Sequence, residues 1–136
     1  MAFEDVRVHT RLKLFALWSS VMFLYIYGDY IELYETGKLQ EMISGRMPFG
    51  AISQGVLLGM AGVMVVPSLM PLLSLVLPVR LSRWLNIIFG VVYSLIMTVA
   101  FKSGWHFYIF FGAIEIVLTL LIVWYAWTWP KEASNR

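Results

Sequence analysis

Four apolar blocks, at about residues 12–33, 51–77, 83–101 and 105–129, alternate with short polar stretches along the chain. The first holds about 22 residues, or about 33 Å of helix, which fits the hydrocarbon core of a bilayer. It follows Arg7, Arg11 and Lys13, but it is long for a signal sequence and Tyr25 to Glu32 offers no small-residue cleavage site, so it reads as a retained span. The second block would reach about 40 Å, more than a bilayer core needs. Pro67 and Pro71 lie within it, and each removes a backbone donor, which frees the carbonyls of Val63 and Pro67 and predicts a kink. Ahead of them Gly55 and Gly59 form a GxxxG pair with Gly62 nearby, a surface for close helix packing. A basic turn, Pro78 to Arg83, leads to the third block, with Ser82 as its expected N-cap and Trp84 at the membrane boundary. The last block ends in Trp124-Tyr125-Ala126-Trp127-Thr128-Trp129-Pro130, an aromatic belt followed by a helix stop. Between the first two blocks, Leu39, Met42, Ile43 and Met47 recur at helical spacing among Lys38, Glu41 and Arg46. That pattern fits either a short interfacial helix lidding the end of the first span or a plain loop.

Composition supports the same class. Apolar residues make up 60% of the 136 positions and charged ones 13%, with a mean hydropathy of +0.78, where a soluble domain would carry about 25% charge. The fold expected is all-α: one integral membrane domain built as an up-down-up-down four-helix bundle with a Pro-kinked second helix and no strands. The net charge of +2 is too small and scattered to suggest nucleic acid; its meaning is topological. Arg7, Arg11, Lys13, Arg80, Arg83, Lys131 and Arg136 fall on one side of a four-span chain, against Lys38, Arg46 and Lys102 on the other, which places both termini in the cytoplasm. The chain has no cysteine, which excludes disulfides and thiolate metal sites, and no internal repeat of the kind found in inverted-repeat transporters.

The polar residues inside the spans are the candidate chemistry, because an ionisable group in a membrane is costly and is kept away from lipid. On the first span Trp18, Met22, Tyr25, Asp29 and Glu32 follow steps of three and four; Asp29 lies about 6 Å in from the end and Glu32 sits at the boundary, solvated. On the last span Tyr108, Gly112, Glu115 and Thr119 share a stripe, with Glu115 about 15 Å deep. Gln54, Tyr93 and Asn86 offer donors on the other helices, and His106 stands at the mouth of the last span. These residues compose an outward-open pocket with Asp29, Gln54 and His106 at its rim and Glu115, Tyr25 and Tyr93 at its floor. It would suit a small amphipathic or cationic ligand, since carboxylates and aromatic faces both attract cations. Gly55, Gly59 and Asn86 are the candidate helix-packing positions, and interhelical hydrogen bonding is the plainer role for Gln54, Asn86 and Tyr93. No catalytic constellation is legible. His9 and His106 lie at opposite faces, unlike a bis-histidine haem pair; Leu118 stands where a di-iron Glu-x-x-His motif needs histidine; no phosphate loop or nucleophile motif is present. No cofactor or metal is expected.

The segments Met22 to Asp29, Gln54 to Gly59, Arg83 to Ile88, Ile114-Glu115 and Trp124 to Pro130 resemble a family of small bacterial four-span proteins known only as a domain of unknown function. More remotely, the four-span plan is similar to that of DoxX-like proteins. The resemblance implies a bacterial inner-membrane location and a four-helix bundle, and it brings no activity or catalytic residues. The expected function is a non-enzymatic small-molecule binder or transport-related component. The alternatives are a helix-packing interaction subunit, with a homo-oligomer or another membrane protein as partner, and an acid-base membrane isomerase using Asp29 and Glu115.

Overall fold

A computed structural model of the chain describes residues 3–47, 50–100 and 105–132. The turn Lys102-Ser103-Gly104, with Phe101 before it, and the end of the tail with Arg136 lie outside the described residues. Four helices are long and apolar enough to cross a membrane: α1 (Thr10–Glu32), α3 (Gln54–Val76), α4 (Val79–Ala100) and α5 (His106–Trp127). Between α1 and α3 come the short helix α2 (Lys38–Ile43) and a two-residue antiparallel ladder, β1 (Arg46–Met47) with β2 (Gly50–Ala51), paired Arg46 to Ala51 and Met47 to Gly50. That ladder is all the strand structure among the described residues. Around the bundle α1 packs between α3 and α5, and α4 packs on α5 and more lightly on α3, so every neighbouring pair is antiparallel.

The helix starts are locally determined. His9 caps α1, its Nδ1 accepting from the Arg11 amide at 3.2 Å, and Ser53 caps α3 by accepting from the Val56 amide at 3.2 Å. Helix α4 begins at Val79, directly after Pro78, instead of at Arg83; Ser82 is therefore not an N-cap but a buried residue of the first turn, whose amide bonds the Pro78 carbonyl. Proline suits this place because it supplies a carbonyl to the first turn while its missing amide costs nothing there. Gly37 (φ +87°) and Gly45 (φ +73°) bracket α2 in left-handed conformations that glycine adopts without strain.

The buried positions repeat at three and four: Leu14, Trp18, Val21, Tyr25 and Gly28 on α1; Pro67, Met70 and Ser74 on α3; Gly112, Glu115, Thr119, Ile122 and Ala126 on α5. This 3.5-residue period is the seam of a left-handed bundle. The seam is smaller and more polar than the outer faces, which carry Phe23, Leu58, Leu95, Val99 and Phe110. In lipid, apolarity does not separate core from surface, and close packing and hydrogen bonds hold the helices instead. A close approach lies at Gly90, where an added Cβ would come within 2.7 Å of Val123 Cγ2 and 3.3 Å of the Thr119 carbonyl. By contrast, an added Cβ at Gly59 or Gly62 meets nothing within 4 Å and one at Gly55 meets only the nearby Ser53 hydroxyl, so among the described residues no helix packs on the GxxxG surface.

Candidate functional site

Two polar layers divide the bundle interior. Near the chain termini, Asn86 is fully buried on α4 and joins three helices: its Oδ1 accepts from Trp18 Nε1 at 2.8 Å, and its Nδ2 donates to the Ser82 carbonyl at 2.8 Å and to Ser74 Oγ at 3.1 Å. Ser82 Oγ donates to the Ser74 carbonyl at 3.3 Å. Every member of this cluster is satisfied, which makes it a packing element and not an open site.

Tyr93 has a similar structural task. Pro67 cannot supply the amide that would bond the Val63 carbonyl, and the Tyr93 hydroxyl donates to that carbonyl from α4. The Tyr93 ring also meets Trp18 edge to face, with centroids 6.1 Å apart. Below it, Ser94 Oγ donates to Thr119 Oγ1 at 2.7 Å, tying α4 to α5.

Towards the other end lies a cavity of about 100 Å³ to which all four spans contribute: Tyr25, Gly28 and Asp29 from α1, Met64 from α3, Met97 from α4, and Tyr108, Phe111, Gly112 and Glu115 from α5. The heptad-like seams of α1 and α5 deliver Tyr25, Gly28, Gly112 and Glu115 to the axis, and the missing side chains of the two glycines leave the space. Glu115 is only 5% exposed, and its carboxylate has no hydrogen bond or ion pair among the described residues. The Tyr25 hydroxyl is buried and likewise has no partner among the described residues. Among the described residues no lysine, arginine or histidine lines the cavity, so Asp29 and Glu115 share it without a described cation.

Asp29, Met64 and Tyr108 also border a wider groove of about 590 Å³ under α2, walled by Met42, Met47 and Met60 among others. Helix α2 thus lies beside the acids of the first span. Lys38 on α2 forms an ion pair with Glu32, so Glu32 is a half-buried latch partner and not simply a solvated boundary acid. The hydrogen bond that Lys38 donates to Glu32 holds its ammonium pKa above the ordinary value of 10.5, against the lowering effect of burial.

Of the residues singled out from sequence, the cavity brings together Asp29, Tyr25 and Glu115. Gln54 and His106 are exposed and line neither the cavity nor the groove, and Tyr93 is engaged by the Val63 carbonyl. Met64, Met97 and Phe111 escaped sequence reading as named site residues because, in a chain this apolar, methionine and phenylalanine carry no positional signal. Gly28 could have been found, since it continues the step from Tyr25 by three. Among the described residues no three His, Asp or Glu side chains cluster as a metal site would require.

The charged residues at the chain-termini end also have local partners. Arg11 Nη1 donates to the carbonyls of Ser74, Leu75 and Leu77 at 3.1, 2.9 and 2.8 Å, capping the C-terminus of α3 from α1. Arg83 does the same for α5, its Nε and Nη2 donating to the carbonyls of Ala126 at 3.0 Å and Trp127 at 3.2 Å. Cationic donors suit helix C-termini, where unpaired carbonyls and the helix dipole present negative charge.

Comparison with curated proteins and with solved structures gives no match, so the DoxX-like similarity rests on the number of spans alone. A family model, described as a family of unknown function (DUF6326), matches residues 2–135. Covering all but the extreme ends of this four-span chain, that match makes it a member of the DUF6326 family.

Proposed function

We propose that this multi-pass membrane protein is a non-enzymatic binder or transport-related component whose cavity takes the cationic group of a small amphipathic molecule. One observation carries the reading: Asp29 and Glu115 line a single cavity with the Tyr25 hydroxyl, which has no partner among the described residues, and no described basic residue accompanies them. An uncompensated carboxylate at this depth is costly, and an incoming cation removes that cost. Size sets the ligand class. A volume of about 100 Å³ is that of about three waters, enough for an ammonium group but not for a whole drug-sized molecule. The methionine-lined groove beyond Asp29 supplies room for an apolar remainder. With both termini cytoplasmic, as the charge count favours, this opening faces outward.

The test is thermal stabilisation of the purified protein by a primary alkylammonium series. Wild type should gain stability with added alkylammonium, and Glu115→Gln and Asp29→Asn should each lose most of that gain while folding normally. Gly28→Leu should abolish it by filling the cavity, since a side chain there meets no obstruction within 4 Å of its Cβ. Unchanged stabilisation in all three variants would remove the proposal.

The open faces of Gly59 and Gly62 favour a second reading, docking of a partner helix on α3. Gly59→Leu should then destabilise a crosslinkable complex in native membranes; recovery of monomer alone, with the variant equally stable, would exclude it.

A further inference from the structure

At the opposite end from the cavity, the chain ends and the α3–α4 turn enclose a groove of about 640 Å³. Arg11, Arg80, Arg83 and Lys131 line it against a single acid, Glu132, and Trp84, Trp127 and Trp129 stand at its sides. A topological role for the basic residues requires only that they lie on one side of the membrane. It does not require that they converge on one concavity, nor that their head groups be fixed. Both are seen here.

Arg11 and Arg83 are held by the helix-end carbonyls they cap, and those bonds use Nη1 of Arg11 and Nε and Nη2 of Arg83. This leaves Nη2 and Nε of Arg11 and Nη1 of Arg83 without a protein acceptor among the described residues. Their rings of support are aromatic: Arg11 stacks 5.8 Å from the Trp129 centroid and Arg83 5.9 Å from those of both Trp84 and Trp127. Arg80 is exposed and has no hydrogen bond or ion pair among the described residues. Two guanidinium edges held by helix-end carbonyls, beside the exposed Arg80 and Lys131, form a preorganised acceptor for a tetrahedral oxyanion.

We infer that this groove binds the phosphate of an anionic phospholipid headgroup. Depth selects lipid over soluble phosphate, because the groove opens at the ends of the spans and tryptophans of the interfacial belt form its walls.

Native mass spectrometry of the protein extracted from vesicles of equal phosphatidylglycerol and phosphatidylcholine tests this. Wild type should retain phosphatidylglycerol preferentially. The double variant Arg80→Ala, Lys131→Ala, which leaves both helix caps intact, should lose about fivefold in that preference for each cation removed. Its melting temperature in pure phosphatidylcholine should equal that of wild type, which separates lost binding from lost folding. Equal retention of the two lipids by wild type, or undiminished preference in the double variant, would overturn the inference. Complete displacement of the retained lipid by millimolar inorganic phosphate would also overturn it, by assigning the groove to a soluble anion.

Discussion

Glu115 and Asn86 are both polar and both buried, yet their surroundings give them opposite roles. Asn86 finds partners on three helices, and no group in the cluster is left over. Replacing it with leucine would strand the Trp18 indole N–H and the Ser74 hydroxyl, and should lower stability by about 1 to 3 kcal/mol, measured as a drop in melting temperature in detergent. Glu115→Gln should cost far less, because no hydrogen bond to that carboxylate exists to be lost among the described residues. Sequence could identify both residues as anomalous in an apolar span, and spacing could put Glu115 and Asp29 on stripes able to meet. It made interhelical bonding the plainer role for Asn86 but could not name the partners that satisfy it. That depends on Ser74 and Ser82, small hydroxyl residues that look like ordinary packing positions until α3 and α4 are placed together.

For the helices, the number of spans was plain from hydropathy, because each apolar block is long enough to cross a bilayer and each break is polar. Their mutual packing was much less plain. The GxxxG pattern drew attention to Gly55 and Gly59, whereas a glycine at which two helices of this chain do close on each other is Gly90, which no motif marks. The physical reason is that a glycine's meaning lies in what faces it. Gly90→Val should force Val123 and the α5 backbone aside and destabilise the bundle by about 1 to 3 kcal/mol, while Gly59→Val in the isolated monomer should change the unfolding midpoint little. The start of α4 shows the same limit: Ser82 has the chemistry of a cap, but Pro78 sets the first turn four residues earlier. Charge counting likewise saw Arg11 and Arg83 as orientation signals and was blind to the carbonyls they hold, which belong to helices far along the chain.

At the scale of the whole molecule the bonds that join the helices are unevenly distributed. The Asn86 cluster and both arginine caps gather near the chain termini, and the Tyr93 and Ser94 contacts sit at mid-depth. Beyond them, around the cavity, the ion pair of Lys38 with Glu32 joins α2 to α1, and the first half of α3 is exposed along most of its length. Among the described residues, the bonds that join the spans are therefore concentrated at one end, like the pivot of a pair of tongs. If the cavity takes the proposed cation, opening to admit it would need no broken cap and no unwound helix, only a small angular spread that grows with distance from that pivot. Because the chain contains no cysteine, spin labels can be placed at will. A pair at Leu58 and Leu95 should show a broader distance distribution than a pair at Leu72 and Ile88, and should narrow when alkylammonium is added; equal widths would refute the picture. A hinge of this kind puts the moving part and the acids at the same end, so the energy of binding a cation would be felt first as closure.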